Sequence, residues 1–291
     1  MAAKRLLIAY AHPDDESFGL GGLIARCVAE GVDVYLICAT NGECGTVKPE
    51  MLNGYKSIAE LRLAELDCAA EKLGLKHVYK LGYRDSGMMG SETAQHPDCL
   101  WQADPAQVTR DVVTVMREVR PQVVITFNRY GGYGHPDHIA IQRAATEAFT
   151  LASDPAYITD GQTPYTPQKL YYSSIPRRQI QLAIMMLRLR RQDPRRIGKN
   201  QDIDVVAILE NADQTHTRID IRRYHAAWQD ASQCHASQLG GGSLNPIPMR
   251  LRKWLMPYQE FTRIHPSPNG SRERDLFAGV VTDEAVPDGA Q

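Results

Sequence analysis

Two stretches of this chain, far apart in sequence, leave an apolar run through the same turn. The first is LLIAYAHPDDESFGLGG at residues 6–22, the second QVVITFNRYGGYGHPDH at 122–138. Residues 6–10 and 123–127 have the length and apolarity of buried strands. Pro13 pushes His12 into an extended conformation, so the first strand stops there. Asp14, Asp15, Glu16 and Ser17 are residues that open helices, and a helical pattern follows the second turn over 139–149. Each stretch therefore reads as strand, His-Pro-Asp turn, helix. Open α/β sheets place ligands at the carboxyl ends of their strands. If both strands run centrally in one parallel sheet, the two turns meet at one crevice.

The remainder of the first half supports such a sheet. Residues 32–39 read as a second strand, 57–73 as a helix stopped by Gly74, and 77–81 as a third strand. The loop 82–105 is long enough to suggest a functional role, and 107–118 reads as the helix before the 123–127 strand. The order β-α-β-α-β-loop-α-β-α predicts an α/β fold, a Rossmann-like, doubly wound, mostly parallel sheet with helices on both faces. The second half is less regular. Residues 169–174 and 204–209 read as strands, and 219–238 as a helix closed by Gly240-Gly241-Gly242. A last helix is expected within 245–264, and the tail from Val286 is expected to be disordered. The chain is read as a single domain, with a core over 1–152 carrying the site and 153–285 walling a substrate cleft.

Composition narrows the function. The 33 Lys and Arg against 34 Asp and Glu leave a formal charge of −1, which does not suggest a nucleic-acid binder. No apolar run is long enough to span a bilayer, and no signal-like segment precedes the first strand, so neither membrane nor export is indicated. The six cysteines form no C-x-x-C pair; Cys27, Cys38 and Cys68 sit in apolar patterns and read as small core residues. That pattern predicts a reducing, cytoplasmic setting and no cysteine zinc site. The arginines from Arg188 to Arg196 read as a solvated face rather than an anion site. Oligomeric state is open, and a homo-oligomer is compatible with it.

His12, Asp15, His135, Asp137 and His138 can all bind a divalent ion. Two histidines and one carboxylate form a three-ligand set with an open position for water. Asp14 stands beside it, able to take a proton from that water. A plain alternative is a helix cap with acids in its first turn. The same ligand set also describes non-haem Fe(II) oxygenases, which would need a different scaffold. A dinucleotide site is disfavoured, because Gly19, Gly21 and Ile24 break the G-x-G-x-x-G pattern.

AHPDDE after the first strand together with GGYGHPDH after the fourth resembles the LmbE/PIG-L superfamily of zinc-dependent N-deacetylases. TNGE at 40–43, Arg62-x-x-Glu65, LGYRDSGM at 81–88 and HASQ at 235–238 add to the resemblance. It is strong to about residue 150, patchy to 238, and nearest the mycothiol deacetylase and conjugate-amidase branch. The resemblance implies hydrolysis of an N-acetylglucosamine-type amide to acetate and amine. It implies zinc held by His12, Asp15 and His138; a set of two histidines and one carboxylate also holds Fe(II), an alternative occupant. It implies Asp14 as general base, and His135, oriented by Asp137, as oxyanion stabiliser or proton donor. Tyr133 would close over the substrate, Arg62 and Asp85 would hold sugar hydroxyls, and Glu43 would line the site. The alternatives are a larger amide, such as a thiol conjugate, and a non-catalytic metal- or sugar-binding module. Against the last stands Asp14, since a pure binding site needs no base beside its metal.

Overall fold

The computed structural model of the chain describes residues 3–159, 161–198, 201–239, 248–270 and 272–282. β1 (Arg5–Tyr10) leads into α1 (Asp15–Ala29), β2 (Asp33–Thr40), α2 (Ile58–Leu73), β3 (His77–Tyr83), α3 (Pro105–Val119) and β4 (Val123–Thr126). A short turn of helix, α4 (Gly131–Gly134), joins β4 to α5 (Pro136–Leu151). Then come β5 (Lys169–Ser174), α6 (Arg177–Leu189), α7 (Val205–Glu210), β6 (Thr217–Asp220), α8 (His225–Ser232), α9 (Ala236–Leu239), α10 (Met249–Leu255) and β7 (Tyr258–His265). Local chemistry fixes several boundaries. Ser57 caps α2 by accepting from the Glu60 amide, and Gly74 closes it in the left-handed region with φ 72°. Asp104 caps α3, and Pro105 occupies its first turn, where a missing N–H costs nothing.

The strands form one sheet in the order β3-β2-β1-β4-β5-β7-β6. β1 pairs in parallel with β2 on one side and with β4 on the other, in register from Leu6↔Val123 to Ala9↔Thr126. The strand order reverses between β1 and β4, so their carboxyl ends bracket the switch point of a doubly wound sheet. The two His-Pro-Asp turns leave from those ends, as the repeated stretches predict. β1 and β4 are buried along their whole length from Leu6, with helices on both faces.

Beyond β5 the sheet turns antiparallel, and three expectations are corrected. Residues 204–209 form α7, not a strand: the Asp204 carboxylate accepts from the amides of Val206 and Ala207, a cap that selects helix for a short apolar run. The segment 219–238 begins as β6, turns where Asp220 binds the Arg222 amide, and becomes helical only at His225. In 245–264 the helix is confined to α10, and Pro257 and the aromatic, alternating stretch after it give β7. Glycines 240–242 and the tail from Val286 lie outside the described residues.

Cys68 is also corrected. It is exposed on α2 and joined by a disulfide to Cys234, with Cα atoms 5.8 Å apart, whereas Cys27 and Cys38 are core residues. Cysteine usage therefore does not indicate a reducing compartment. The arginines at 188, 190, 191, 195 and 196 are exposed, as a solvated face requires. No helix among the described residues is long and apolar enough to cross a membrane.

One carboxylate ties the antiparallel half together. Glu273 accepts from Lys169 Nζ (2.8 Å), Tyr171 Oη (2.8 Å), Thr217 Oγ1 (2.9 Å) and Arg263 Nη1 (2.7 Å), linking β5, β6 and β7. Burial alone would raise its pKa, but these donors hold it below the usual glutamate range. A depressed pKa adds stability above the unfolded value of about 4.3 and loses it as pH falls through the folded value. Glu273→Ala, which leaves two cations without their partner, is expected to cost about 3 kcal/mol at pH 7. The gap to wild type in denaturant melts should narrow below about pH 4.

Candidate active site

The site is built at the two turns. His12 lies two residues past the end of β1, and Pro13 and Asp14 carry the chain into α1. Asp14 occupies the cap position of α1 but makes no capping hydrogen bond. Its backbone stands at φ 131°, rare for a residue with a side chain, and its carboxylate turns away to Arg62 Nη2 at 2.9 Å. The capping reading therefore fails for Asp14. His135 caps α5 instead, its Nδ1 accepting from the Asp137 amide at 3.2 Å.

Three side chains converge. His12 Nδ1 and His138 Nε2 are 3.1 Å apart, and the Asp15 carboxylate reaches each of them at 3.4 Å. Hydrogen bonds on the far side of each ring assign the tautomers. His12 Nε2 faces Asp137 Oδ2 at 3.1 Å, and His138 Nδ1 faces the Gly131 carbonyl at 3.2 Å, so each of these nitrogens carries the proton. Two ring lone pairs and a carboxylate then face one point, an arrangement that repels itself unless a cation lies between. Donors about 2.0–2.1 Å from a tetrahedral ion lie about 3.3 Å from one another, close to the three spacings here. The residues thus fit a divalent metal. The ring nitrogen of His135 also comes within 4.8 Å of those of His12 and His138.

The partners of these groups set their charges. Asp15 is held well below the usual carboxylate range: burial opposes this, but His138 and His12 outweigh it. Asp85, Asp137 and Asp15 raise His12 well above the usual histidine value despite burial, so a proton competes with an ion for its Nδ1. Burial, with His12 and His138 beside it, holds His135 well below that value and neutral. With Nδ1 accepting, neutral His135 presents an Nε2–H donor. Burial lifts the Asp14 carboxyl to about 6, against the pull of Arg62.

The other expected residues also assemble here. Tyr133 lies edge-on to His135 and His138, with ring centroids 5.8 and 5.1 Å away. It projects from a loop in which Gly131, Gly132 and Gly134 all have positive φ, which glycine adopts freely. Asp137 bears on His12 with its carboxylate and on His135 with its backbone amide only. Asp85 is buried, 3.5 Å from His12 Nε2, and accepts from the Gly87 amide. Glu43 accepts from the Asp85 amide at 3.0 Å. Arg62 is buried, and it donates to the Gly42 and Pro13 carbonyls and to Asp14. Sequence reasoning missed Ser86, whose amide and hydroxyl both bind Asp137, and the buried Glu16–His235 pair at 2.8 Å. Only the position of Ser86 in RDSGM and of His235 in HASQ signalled them.

Two cavities meet at the centre. A polar cleft is lined by His12, Asp14, Glu43, Arg84, Asp85 and His135. An apolar chamber of about 390 Å³ reaches Asp15 and His138 from the other side, between Phe18, Phe127, Trp228 and Phe261. Tyr133 borders both.

Sheet and site together define an α/β protein with a metal-binding His/Asp cluster at its switch point. The family model described as GlcNAc-PI de-N-acetylase (PIG-L) matches residues 7–149. The 1D-myo-inositol 2-acetamido-2-deoxy-alpha-D-glucopyranoside deacetylase of Thermobifida fusca is 36% identical over 96% of this chain and 100% of its own length. The chain belongs to the PIG-L deacetylase family. Among solved structures, the N,N'-diacetylchitobiose deacetylase of Pyrococcus horikoshii shares the fold at TM-score 0.60 and 20% identity, over 92% of this chain and 88% of that one. So does the 4-carboxy-2-hydroxymuconate hydratase GalB of Pseudomonas putida, at TM-score 0.58 and 19% identity, over 91% and 97%.

His12→Ala, Asp15→Ala and His138→Ala are each expected to lose the bound metal, read by elemental analysis of the purified protein. Full metal content in His138→Ala would move the third ligand position to His135.

Proposed function

We propose that this chain hydrolyses the acetamide of an N-acetylglucosamine-type amino sugar, releasing acetate and the free amine, with zinc as its metal and Fe(II) as an alternative occupant. The similarity to the Thermobifida deacetylase, which spans both chains, supports the substrate class. The observation that carries the chemistry is Asp14. Its carboxyl is free of helix capping, lines the same cleft as His12 and is lifted by burial to about 6, toward the range a general base needs.

His12, Asp15 and His138 would hold the ion, which would supply Lewis acidity toward the amide carbonyl and the attacking water. Asp14 accepts the proton of the attacking water and holds it for the departing nitrogen. Neutral His135 directs its Nε2–H at the oxygen on which charge develops, and the Tyr133 hydroxyl is the second donor to it. Asp137 fixes His12 through its carboxylate and His135 through its amide. The sugar occupies the polar cleft, whose lining includes Glu43, Arg62, Asp85 and Gln238, groups that can meet its hydroxyls. A second reading, a larger amide such as a thiol conjugate, is favoured by the apolar chamber, which could take an acyl group longer than acetyl.

Asp14→Asn is expected to keep its fold and metal but lose about a hundredfold or more in kcat/KM. Asp15→Asn should instead lose metal and recover in part with added zinc. The assay is amine release from N-acetylglucosaminyl-inositol, with metal content and Tm measured alongside; longer N-acyl groups in the same assay separate the two readings. Near-full activity in zinc-loaded Asp14→Asn would place the base elsewhere.

Tyr133→Phe should retain metal and lose roughly tenfold or more in kcat, the scale of one lost transition-state donor. An unchanged kcat would remove Tyr133 from the reaction.

A further inference from the structure

Three side chains spaced one turn apart on α2 face the site and the corner between α8 and α9. Arg62 donates to the Pro13 carbonyl (2.6 Å) and to Asp14 Oδ2 (2.9 Å). Glu65 accepts from the amide (2.8 Å) and hydroxyl (2.6 Å) of Ser237. Cys68 is bonded to Cys234. Inside this frame His235, fully buried, places Nε2 2.8 Å from Oε1 of the equally buried Glu16. The other oxygen of Glu16 accepts the backbone N–H of Asp14 at 3.1 Å. Trp228 of α8 adds a hydrogen bond to the Ser17 carbonyl at 2.6 Å.

The corner therefore bears on the first turn of α1, where Asp14 is held at φ 131°. Such a conformation persists only when its surroundings over-determine it. Glu16 fixes the Asp14 amide, and Arg62 fixes its carboxylate and the carbonyl before it. Glu16 is in turn fixed by His235. The disulfide and the Glu65–Ser237 bonds flank His235 and join it to α2, the helix that carries Arg62.

We propose that the 234–238 corner is a clamp on Asp14, with His235 as a positioning residue acting through Glu16, and that the Cys68–Cys234 disulfide keeps the clamp closed. The proposal rests on Asp14 being the base of the deacetylation. His235 need not touch substrate. Cys68 is exposed, so a dithiol can reach the bond. Two electrons from dithiothreitol leave thiols at Cys68 and Cys234, each gaining a proton, while the reagent becomes its cyclic disulfide. The thiol state of this pair would then set the turnover rate.

The test compares wild type, His235→Ala, His235→Gln and the double variant Cys68→Ser/Cys234→Ser, each metal-loaded. His235→Ala is expected to lose about tenfold to a hundredfold in kcat with KM and metal content near wild type, the scale of a displaced catalytic group. His235→Gln, whose amide can donate to Glu16 from the same place, should restore most of it. Dithiothreitol should lower the kcat of wild type, and oxidised dithiothreitol should restore it; the double variant should start low and respond to neither. Hydrogen exchange at the Asp14 amide should quicken in His235→Ala and on reduction. Wild-type kcat and unchanged exchange in His235→Ala would overturn the clamp, and so would a His235→Gln no better than His235→Ala. Wild-type turnover in the fully reduced protein would overturn the part given to the disulfide. A wild type that releases no amine would refute the deacetylase reading alone, because exchange at Asp14 still decides the clamp.

Discussion

The site gathers five carboxylates, none of them exposed, around one crevice. Asp14, Asp15, Glu16, Asp85 and Asp137 crowd the ends of β1 and β4, where Arg62 meets Asp14 and Asp85, His12 meets Asp15, Asp85 and Asp137, and His235 meets Glu16. A buried charge without compensation costs several kcal/mol. Much of the local architecture answers that demand. Arg62 reaches Asp14 through a slot that exists because residue 42 is glycine, where a Cβ would collide with the guanidinium. Ser86 turns both its donors to Asp137. His12 is shared among three carboxylates. What remains is the point faced by His12 Nδ1, His138 Nε2 and the Asp15 carboxylate, the place where the proposed divalent ion would add positive charge.

The part of this arrangement that is contiguous in sequence was legible there. A strand, a proline-locked turn and a helix opening write the residue types and their spacing into a few positions, and the β1–β4 pairing needs only both runs to be central in one sheet. The contacts between distant segments were not legible. Arg62-x-x-Glu65 and HASQ each stood out singly, but Glu65 and Ser237 are 172 positions apart and nothing local shows that they touch. The Cys68–Cys234 bond, 166 positions apart, was hidden for the same reason. The later elements were misread where short apolar runs suit helix and strand equally. There Asp204 as a cap and Pro257 as a break decided, and both are single residues whose effect depends on their surroundings.

The fold does not select the chemistry. A hydratase and a deacetylase share this sheet with the present chain at nearly the same structural similarity. What the sheet provides is a crevice between β1 and β4 and two helix openings that can present polar side chains there. The reaction is set by what those openings carry. Here they carry the proposed metal donors, whose tautomers are fixed from behind, by Asp137 for His12 and by a backbone carbonyl for His138. Such outer contacts orient a ligand and raise its basicity.

Asp14 and Asp15 show how far placement alone can separate two identical side chains. They are consecutive, yet Asp14 lines the polar cleft and Asp15 the apolar chamber. A regular helix start would turn the Asp14 carboxylate onto the free amides of the first turn of α1 as its cap. The positive φ at Asp14 breaks that regularity, sending one carboxylate to Arg62 and the other to the two histidines. Their proton affinities diverge accordingly. His138 and His12 hold Asp15 well below the usual carboxylate range, as the proposed ligand role requires, while burial lifts Asp14 to about 6. Two titratable groups driven apart by their surroundings mark a division between acid–base work and binding. In this chain the division comes from one strained residue, and the strain is borne by the buried partners of its amide and its carboxylate.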